Sequence, residues 1–133
     1  HVTQVAAGAL SDIMRLVVLP PFSTLLMLRS EFEWTGFTAT ATLDLGWEAY
    51  TLDSDGSTAA ADYNGLLDDL MLTTASMWSC GMLLTATPDD SKPVVREKIF
   101  GNRNEVVVFG TIGVAASVGA GATLKGSFLV LTP

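Results

Sequence analysis

The stretch that decides the fold is residues 38–50, which read Thr-Ala-Thr-Ala-Thr-Leu-Asp-Leu-Gly-Trp-Glu-Ala-Tyr. Threonines 38, 40 and 42 alternate with alanine and leucine, so the threonines fall on one face and the apolar residues on the other. Side chains of a β-strand point alternately to the two faces of a sheet. This period of two predicts a strand, and Gly46 within it predicts a bulge or a close approach of another backbone.

Shorter stretches with related patterns lie on both sides of this one. They predict further strands at residues 12–19, 24–33, 76–86, 94–100, 105–112 and 122–131. Turn signals predict breaks at Pro20-Pro21 and at residues 34–36, 53–57 and 87–93, and a hairpin at residues 101–104. Residues 58–69 are the one stretch that fits a short helix, and residues 68–72 fit either a helix or a strand.

This succession of strands and turns predicts an all-β protein. About eight strands with regular turn signals are typical of an antiparallel β-sandwich or jelly roll. Residues 1–10 are small and weakly patterned, which predicts an extended N-terminal arm. The remaining residues, 11–133, are predicted to form a single sandwich domain.

The composition points to a protein that associates. Hydrophobic residues make up 49% of the 133 residues and charged residues only 16%, whereas ordinary domains carry about 25% charge. A small domain has much surface to cover, so some apolar surface must lie exposed or be buried against a partner. We therefore predict an oligomer or assembly component. The alternative is a monomer covered by threonine, serine, alanine and glycine.

Charge and cysteine content exclude several classes of protein. A net charge of −7 with only seven basic residues does not suit nucleic-acid binding. The longest apolar stretch, residues 16–28, is broken by two prolines and falls short of the ~20 residues that a membrane helix needs. Cys80 is the only cysteine, which excludes an internal disulfide, and its apolar neighbours predict a buried side chain.

No catalytic set can be assembled from the sequence. The only histidine is His1, so neither a Ser-His-Asp nor a Cys-His arrangement can form around an internal histidine. Known nucleophile, zinc-protease and phosphate-loop motifs are absent. We therefore predict no catalytic residues, no cofactor and no enzymatic activity.

Asp53 and Asp55 are weak candidates for a calcium site, and the prediction is that no metal is bound. An EF-hand starting at Asp53 needs glycine at its sixth position and glutamate at its twelfth, where Thr58 and Asn64 stand. An Asp-Gly turn explains the same residues, because aspartate accepts nearby backbone N–H groups and Gly56 adopts positive φ at no steric cost.

Aromatic and threonine residues supply the candidate contact surfaces. Trp34, Trp47 and Trp78 share neither a strand face nor a spacing, which favours core or interface anchors over a sugar-binding platform. The first candidate for an interface patch is Trp34 with Phe32 and Phe37. The second is the flat threonine face of Thr38, Thr40 and Thr42.

Four stretches resemble small virion proteins of tailed bacteriophages. They are Arg-Leu-Val-Val-Leu-Pro at residues 15–20, Ala-Thr-Leu-Asp-Leu-Gly-Trp at 41–47, Asp-Gly-Ser-Thr-Ala-Ala-Ala-Asp at 55–62 and Gly-Ala-Thr-Leu-Lys-Gly-Ser-Phe-Leu-Val-Leu at 121–131. The resemblance implies a capsid decoration, or cement, protein. Such proteins are commonly trimers on the outside of an icosahedral head, and the family has no catalytic residues.

The expected partners are therefore copies of the chain, as a homotrimer, and the major capsid protein of a phage. At the capsid surface of the virion the protein would stabilise junctions between capsomeres, and the arm would add to the edge of a neighbour's sheet. Two alternatives remain open. One is another virion part, such as a neck, tail or fibre subunit, and the other is a β-sandwich module that binds a glycan or another ligand.

Overall fold

Most of the described residues belong to β-strands. The computed structural model describes residues 2–5, 13–37, 41–72, 76–79, 96–113 and 118–133. Their strands are β1 (Val2–Val5), β2 (Ile13–Leu19), β3 (Thr24–Phe37), β4 (Thr42–Trp47), β5 (Tyr50–Thr51), β6 (Thr58–Ala59), β7 (Asp62–Met71), β8 (Ser76–Ser79), β9 (Lys98–Ile99), β10 (Val106–Gly113) and β11 (Val118–Leu131). No helix suited to crossing a membrane occurs in this described part of the chain.

The strands form two main antiparallel sheets. The larger sheet has the order β1-β11-β3-β8, with β9 beside the start of β3. The smaller sheet has the order β2-β10-β4-β7, and β5 and β6 pair separately. The prediction of an all-β antiparallel fold is confirmed. Among the described residues there are eleven strands rather than about eight, and β5, β6 and β9 have only two residues each.

One apolar core lies between the two sheets. Leu16, Leu43 and Val108 from the smaller sheet and Leu25 and Leu124 from the larger sheet belong to the same buried cluster. Burial of such aliphatic side chains stabilises a fold by about 1.5–3 kcal/mol each, relative to exposure. The two layers with a shared core make the fold a β-sandwich.

Strand β3 contains a wide bulge that reverses which side chains face the core. Glu31 pairs with Ser127 but Leu26 pairs with Leu129, so residues 27–30 stand opposite a single residue of β11. Ser30 Oγ donates to the carbonyl oxygen of Leu26 over 3.2 Å inside the bulge. Odd-numbered residues are buried before the bulge and even-numbered ones after it. The strand predicted at residues 24–33 is confirmed as part of β3, but no single alternation of buried and exposed residues runs through it.

Two other predictions of local structure are wrong and two are only partly right. The helix suggested for residues 58–69 is β6 and most of β7, and the turn suggested at residues 34–36 lies inside β3. The strand suggested for residues 94–100 is two residues long in the described part, at Lys98–Ile99. Residues 101–104 do turn, but they join β9 of the larger sheet to β10 of the smaller one and form no hairpin.

Two predictions about glycine and turn residues are confirmed. A Cβ atom at Gly46 would overlap the backbone of Asp62 and Tyr63 in β7, and the β4–β7 register shifts at this point. Gly56 has a φ of 73°, and the Ser57 N–H donates to Asp55 Oδ1 over 2.9 Å. Gly46 thus allows the two backbones to approach closely, and Asp55 closes the predicted turn.

The first described residues form an edge strand. Val2–Val5 pairs with β11, with Val2 opposite Gly126 and Val5 opposite Thr123. This strand is the described part of the predicted arm. Several other predicted features lie outside the described residues. They are the rest of the arm, the contact residues Thr38 and Thr40, the buried Cys80, and the loop at residues 87–93.

Candidate interaction surfaces

The fold buries two of the three aromatic residues that were predicted to form an interface patch. Phe32 and Trp34 are only 1% and 2% exposed, and the Phe32 ring packs edge to face on Phe128 at 5.3 Å between centroids. Phe37 is half-buried against the core. The prediction is therefore wrong for Phe32 and Trp34, because the bulge in β3 turns their side chains into the sandwich of their own chain.

The threonine face is likewise not an open surface where it is described. Thr42 is 9% exposed, and its hydroxyl lies buried between β10 and β7 of the smaller sheet. Thr42 is therefore a buried residue of the sheet rather than a contact residue.

Trp47 is also a core residue. Its ring packs edge to face on Phe100 at 5.8 Å, and the Nζ of Lys98 lies 4.2 Å from its centroid. Its indole N–H donates to the carbonyl oxygen of Ala60 over 3.2 Å. These contacts use both the face and the polar edge of the ring, so Trp47 offers no platform for a sugar.

The outer face of the larger sheet carries an exposed apolar patch. Leu131 and Ile99 both pair with Thr24, and Leu129 pairs with Leu26, which places these side chains on one face. Ile99, Leu129 and Leu131 are 66%, 43% and 52% exposed. We call Leu26, Ile99, Leu129 and Leu131 the larger-sheet patch. The same face is polar at its other end, where Lys125 pairs with Glu33.

Two arginines border the larger-sheet patch. A cavity of about 300 Å³ is lined by Leu26, Arg29, Arg96 and Glu97. Arg29 belongs to the bulge of β3, and both arginines are exposed. Neither forms a hydrogen bond or ion pair with another described residue. The apolar patch is therefore bordered by both guanidinium and carboxylate groups.

The outer face of the smaller sheet carries a group of carboxylates. One oxygen from each of Asp44, Asp68 and Asp69 lies within 4.8 Å of the others. Asp44 Oδ1 accepts the backbone N–H of Asp69 over 2.7 Å, and Asp68 Oδ1 accepts the side-chain amide of Asn64 over 2.9 Å. Asp68 is largely buried and Asp69 is exposed. The three side chains thus bring their carboxyl groups together in one small area.

Apolar side chains surround these carboxylates. Ile13 and Asp44 both pair with Thr111, and Met71 pairs with Thr42, so Ile13 and Met71 share the face of Asp44. The Tyr63 ring covers Phe109 on the same face at 5.2 Å between centroids. Ile13, Tyr63 and Met71 are 54%, 57% and 45% exposed. We call this surface, with Asp44 and Asp69, the acidic face.

The two aspartates singled out as metal candidates lie elsewhere. Asp53 faces Arg103 at 3.5 Å, and Asp55 Oδ1 accepts the Ser57 N–H. Hydrogen bonds from the Ser57 side chain and backbone lower the pKa of Asp55. Within the described residues, Asp44, Asp68 and Asp69 are the acidic group close enough to share a cation, and Asp53 and Asp55 are not part of it.

Sequence reasoning missed both surfaces. Residues 68–72 fit a helix or a strand equally well, so the approach of Asp68 and Asp69 to Asp44 could not be derived. The larger-sheet patch depends on β9 and β11 lying on either side of β3, which no local pattern reveals. The available signal was the excess of apolar over charged residues, which predicted exposed apolar surface without locating it.

Comparison with known proteins gives no relative from which a role could be transferred. No protein-family model, curated protein or solved structure matches the chain.

Proposed function

We propose that the chain is a structural protein of a virion, a decoration protein that binds the outside of a phage head and stabilises the junctions between capsomeres. The observation that carries this proposal is the exposure of large apolar side chains on the outer faces of both sheets. Exposed apolar surface of this kind marks sites of protein association. Its function is binding, and its partners are further copies of the chain and the major capsid protein.

The strand order supports a role in a viral shell. When the three two-residue strands are left out, the described residues contain eight strands, four in each main sheet. Strands that follow each other along the chain lie in different sheets, except that β4 and β7 both belong to the smaller sheet. We interpret this winding as a jelly roll, in which strands from the beginning and end of the chain pair in both sheets. Jelly rolls are common in viral capsid and lectin domains. This support is an analogy of fold, since one fold serves many functions.

The edge strand β1 supports attachment through the N-terminal arm. It is paired with β11 alone among the described strands, so its other edge pairs with no described strand. A short strand at a sheet edge can add to, or exchange with, a strand of a neighbouring protein. In the proposed role the arm ties the sandwich to an adjacent subunit.

Binding to heads tests the proposal. Heads from a phage whose gene for this protein is deleted would be mixed with the purified chain and sedimented. We expect saturable binding with a fixed number of copies per capsomere junction, and heads that retain their DNA to a higher temperature. An absence of binding would contradict the proposal, and binding only to tails or necks would identify another virion part.

The ligand-binding alternative predicts a different result. A glycan-binding module would change its tryptophan fluorescence on addition of sugars. The side chains of Trp34 and Trp47 are buried, so the decoration role predicts no such change from these two residues.

A further inference from the structure

We propose that two copies of this chain associate across a two-fold axis, with the Phe22 ring of each copy inserted into the cavity beside Leu26 of the other. The inference goes beyond the proposed function and does not depend on it, because it concerns the free chain in solution. It rests on a strained, exposed phenylalanine and an open cavity that lie near each other on the larger sheet.

Phe22 occupies a strained position in a turn. It follows Pro21 in the turn between β2 and β3, and its φ of 60° lies in the left-handed region that bulky residues rarely adopt. Glycine or asparagine would fit this position with little strain. The Phe22 side chain is nevertheless 49% exposed. Strained residues of this kind persist only where the surroundings hold them, and they cluster at binding sites.

Asn102 holds the turn in place. The Phe22 N–H donates to the carbonyl oxygen of Asn102 over 2.9 Å, and the Ser23 N–H donates to its Oδ1 over 3.1 Å. The side-chain amide of Asn102 in turn donates to the carbonyl oxygen of Pro20 over 3.0 Å. Asn102 and Ser23 are fully buried. The backbone that carries the exposed ring is therefore fixed in advance, which lowers the entropic cost of binding.

Phe22 adjoins the larger-sheet patch at its turn end. From Ser23 to the bulge, odd-numbered residues are buried and even-numbered ones, beginning with Thr24, lie on the outer side. The exposed Phe22 stands two positions before Thr24. Ile99 and Leu131, which are also exposed, pair with Thr24 from either side. These side chains therefore form one apolar surface with the turn at its end.

The cavity on the same part of the sheet suits an aromatic ring. It measures about 300 Å³ and is lined by Leu26, Arg29, Arg96 and Glu97. A cavity of roughly 150 Å³ can hold a benzene ring, so a phenyl group fits into it. Leu26 supplies an apolar wall, and guanidinium groups stack on aromatic faces. Because Glu97 lines the cavity together with the arginines, a neutral ring suits it better than an anion.

The register of β9 indicates how two copies would meet. Thr24 stands midway in sequence between Phe22 and Leu26, and Ile99 pairs with Thr24. A two-fold axis near Ile99 would therefore bring Phe22 of each copy to the cavity of the other, in two equivalent contacts. Ile99 is 66% exposed and would pack against its counterpart at the centre. A second copy is thus the occupant because ring and cavity lie on opposite sides of one point of the same surface.

Charge does not oppose this contact. Arg29, Arg96 and Glu97 put both signs of charge at the border of the surface, so a contact with itself does not force only like charges together. Glu31 and Glu33 lie beyond the bulge, at the other end of β3. The contact is therefore selected by shape and apolar surface, with arginine at its border.

Replacement of the ring tests the contact. Phe22→Asn removes the ring and should stay folded by circular dichroism, because asparagine tolerates the left-handed backbone. We expect self-association to weaken by at least about tenfold. In sedimentation equilibrium, at concentrations where the native chain is associated, the variant should have half the native mass. This ratio holds whether or not the copies also make a three-fold contact elsewhere. Tyr63→Asn is the matched control, because it removes an exposed aromatic ring from the smaller sheet and should leave the mass unchanged.

A second variant tests the cavity. Leu26→Trp fills the cavity and should also weaken association while the chain stays folded. When the two variants are mixed, the Leu26→Trp copy supplies Phe22 and the Phe22→Asn copy supplies an open cavity. One of the two ring contacts is then intact. Mixed dimers should therefore form in preference to dimers of either variant alone, as measured by native mass spectrometry.

Three results would overturn the inference. They are a native chain that stays monomeric at all concentrations tested, a Phe22→Asn variant that keeps the native mass, and two variants that dissociate but form no mixed dimer. Masses that increase without limit would contradict the two-fold axis, since a two-fold contact closes on itself. Binding to heads is a separate measurement, so none of these results decides the proposed function.

Discussion

The backbone N–H of Asp69 donates a hydrogen bond to Oδ1 of Asp44 over 2.7 Å, joining β7 to β4 across 25 positions of sequence. Asp69 has a φ of 57°, a left-handed conformation that aspartate tolerates better than most residues. The bond therefore ties the irregular point of β7, where the register to β4 shifts, to β4 and places two carboxylates side by side. A substitution of Asp44 therefore changes both the stability of the fold and the charge of this surface.

Replacement of Asp44 should separate these two effects. Asp44→Ala removes the acceptor and is expected to lower the free energy of unfolding by about 1 kcal/mol. Asp44→Asn keeps an acceptor oxygen for the Asp69 N–H, so it should lose less stability than Asp44→Ala. Urea denaturation measures both, and equal stability of the two variants would show that the hydrogen bond contributes nothing.

A side chain at Gly46 should disrupt the smaller sheet. Gly46→Ala places a methyl group onto the backbone of Asp62 and Tyr63, so β7 must move away from β4. Overpacking against backbone is expected to cost about 3 kcal/mol or more. Gly101→Ala is the matched control, because Gly101 also adopts special backbone, with a φ of 55°, but has open space around it. Its cost should stay near 1 kcal/mol, and equal losses for both variants in thermal unfolding would contradict the close approach.

Asn102 should be the most costly polar residue to replace. It is fully buried, accepts the Ser23 N–H over 3.1 Å and donates to the carbonyl oxygen of Pro20 over 3.0 Å. Asn102→Ala leaves these buried groups unsatisfied, and we expect a loss of about 2–4 kcal/mol. Asn104→Ala, at an exposed position in the same turn, should change the free energy of unfolding by less than about 0.5 kcal/mol.

Acidification should weaken the Asp53–Ser57 turn. The pKa of Asp55 is held below its ordinary value of 3.8 by hydrogen bonds from Ser57. A lowered pKa means that the contribution to stability is present above the unfolded value and is lost as the pH falls through the folded one. Carboxyl chemical shifts followed by NMR would report the titration. Ser57→Ala should raise the pKa of Asp55 toward 3.8, and an unchanged pKa would show that the Ser57 hydroxyl is not its cause.

Removal of the arm should separate folding from attachment. Deletion of residues 1–10 removes β1, which lies at the edge of the larger sheet and pairs with β11 alone among the described strands. The sandwich should remain folded by circular dichroism, because an edge strand contributes less than a central one. Binding to heads should fall. Binding as tight as that of the full chain would show that the arm is not the attachment device.

The sequence predicted those elements whose alternation is local and uninterrupted. The strands at residues 12–19 and 105–112 match β2 and β10 within a residue or two at each end. Gly46 was identifiable because a glycine inside a strand pattern signals close backbone approach. These features depend on steric rules that act over a few residues, so they can be read without knowledge of the partners.

The missed features depend on long-range register. In β7 the adjacent residues Leu66 and Leu67 are both buried, so this strand lacks the period of two that marks a strand in sequence. The bulge in β3 turned Phe32 from a predicted contact residue into a core residue. Likewise, Gly101 signals a turn but not which sheet the next strand will join. Each of these outcomes is decided by pairing between distant segments, which a single sequence does not reveal.

Electron cryo-microscopy of phage heads reconstituted with the purified chain tests the decoration role most directly. We predict β-sandwich density on the outer surface, over the junctions between capsomeres. Heads that carry no added density under saturating protein, or density confined to the neck or tail, would contradict the decoration role.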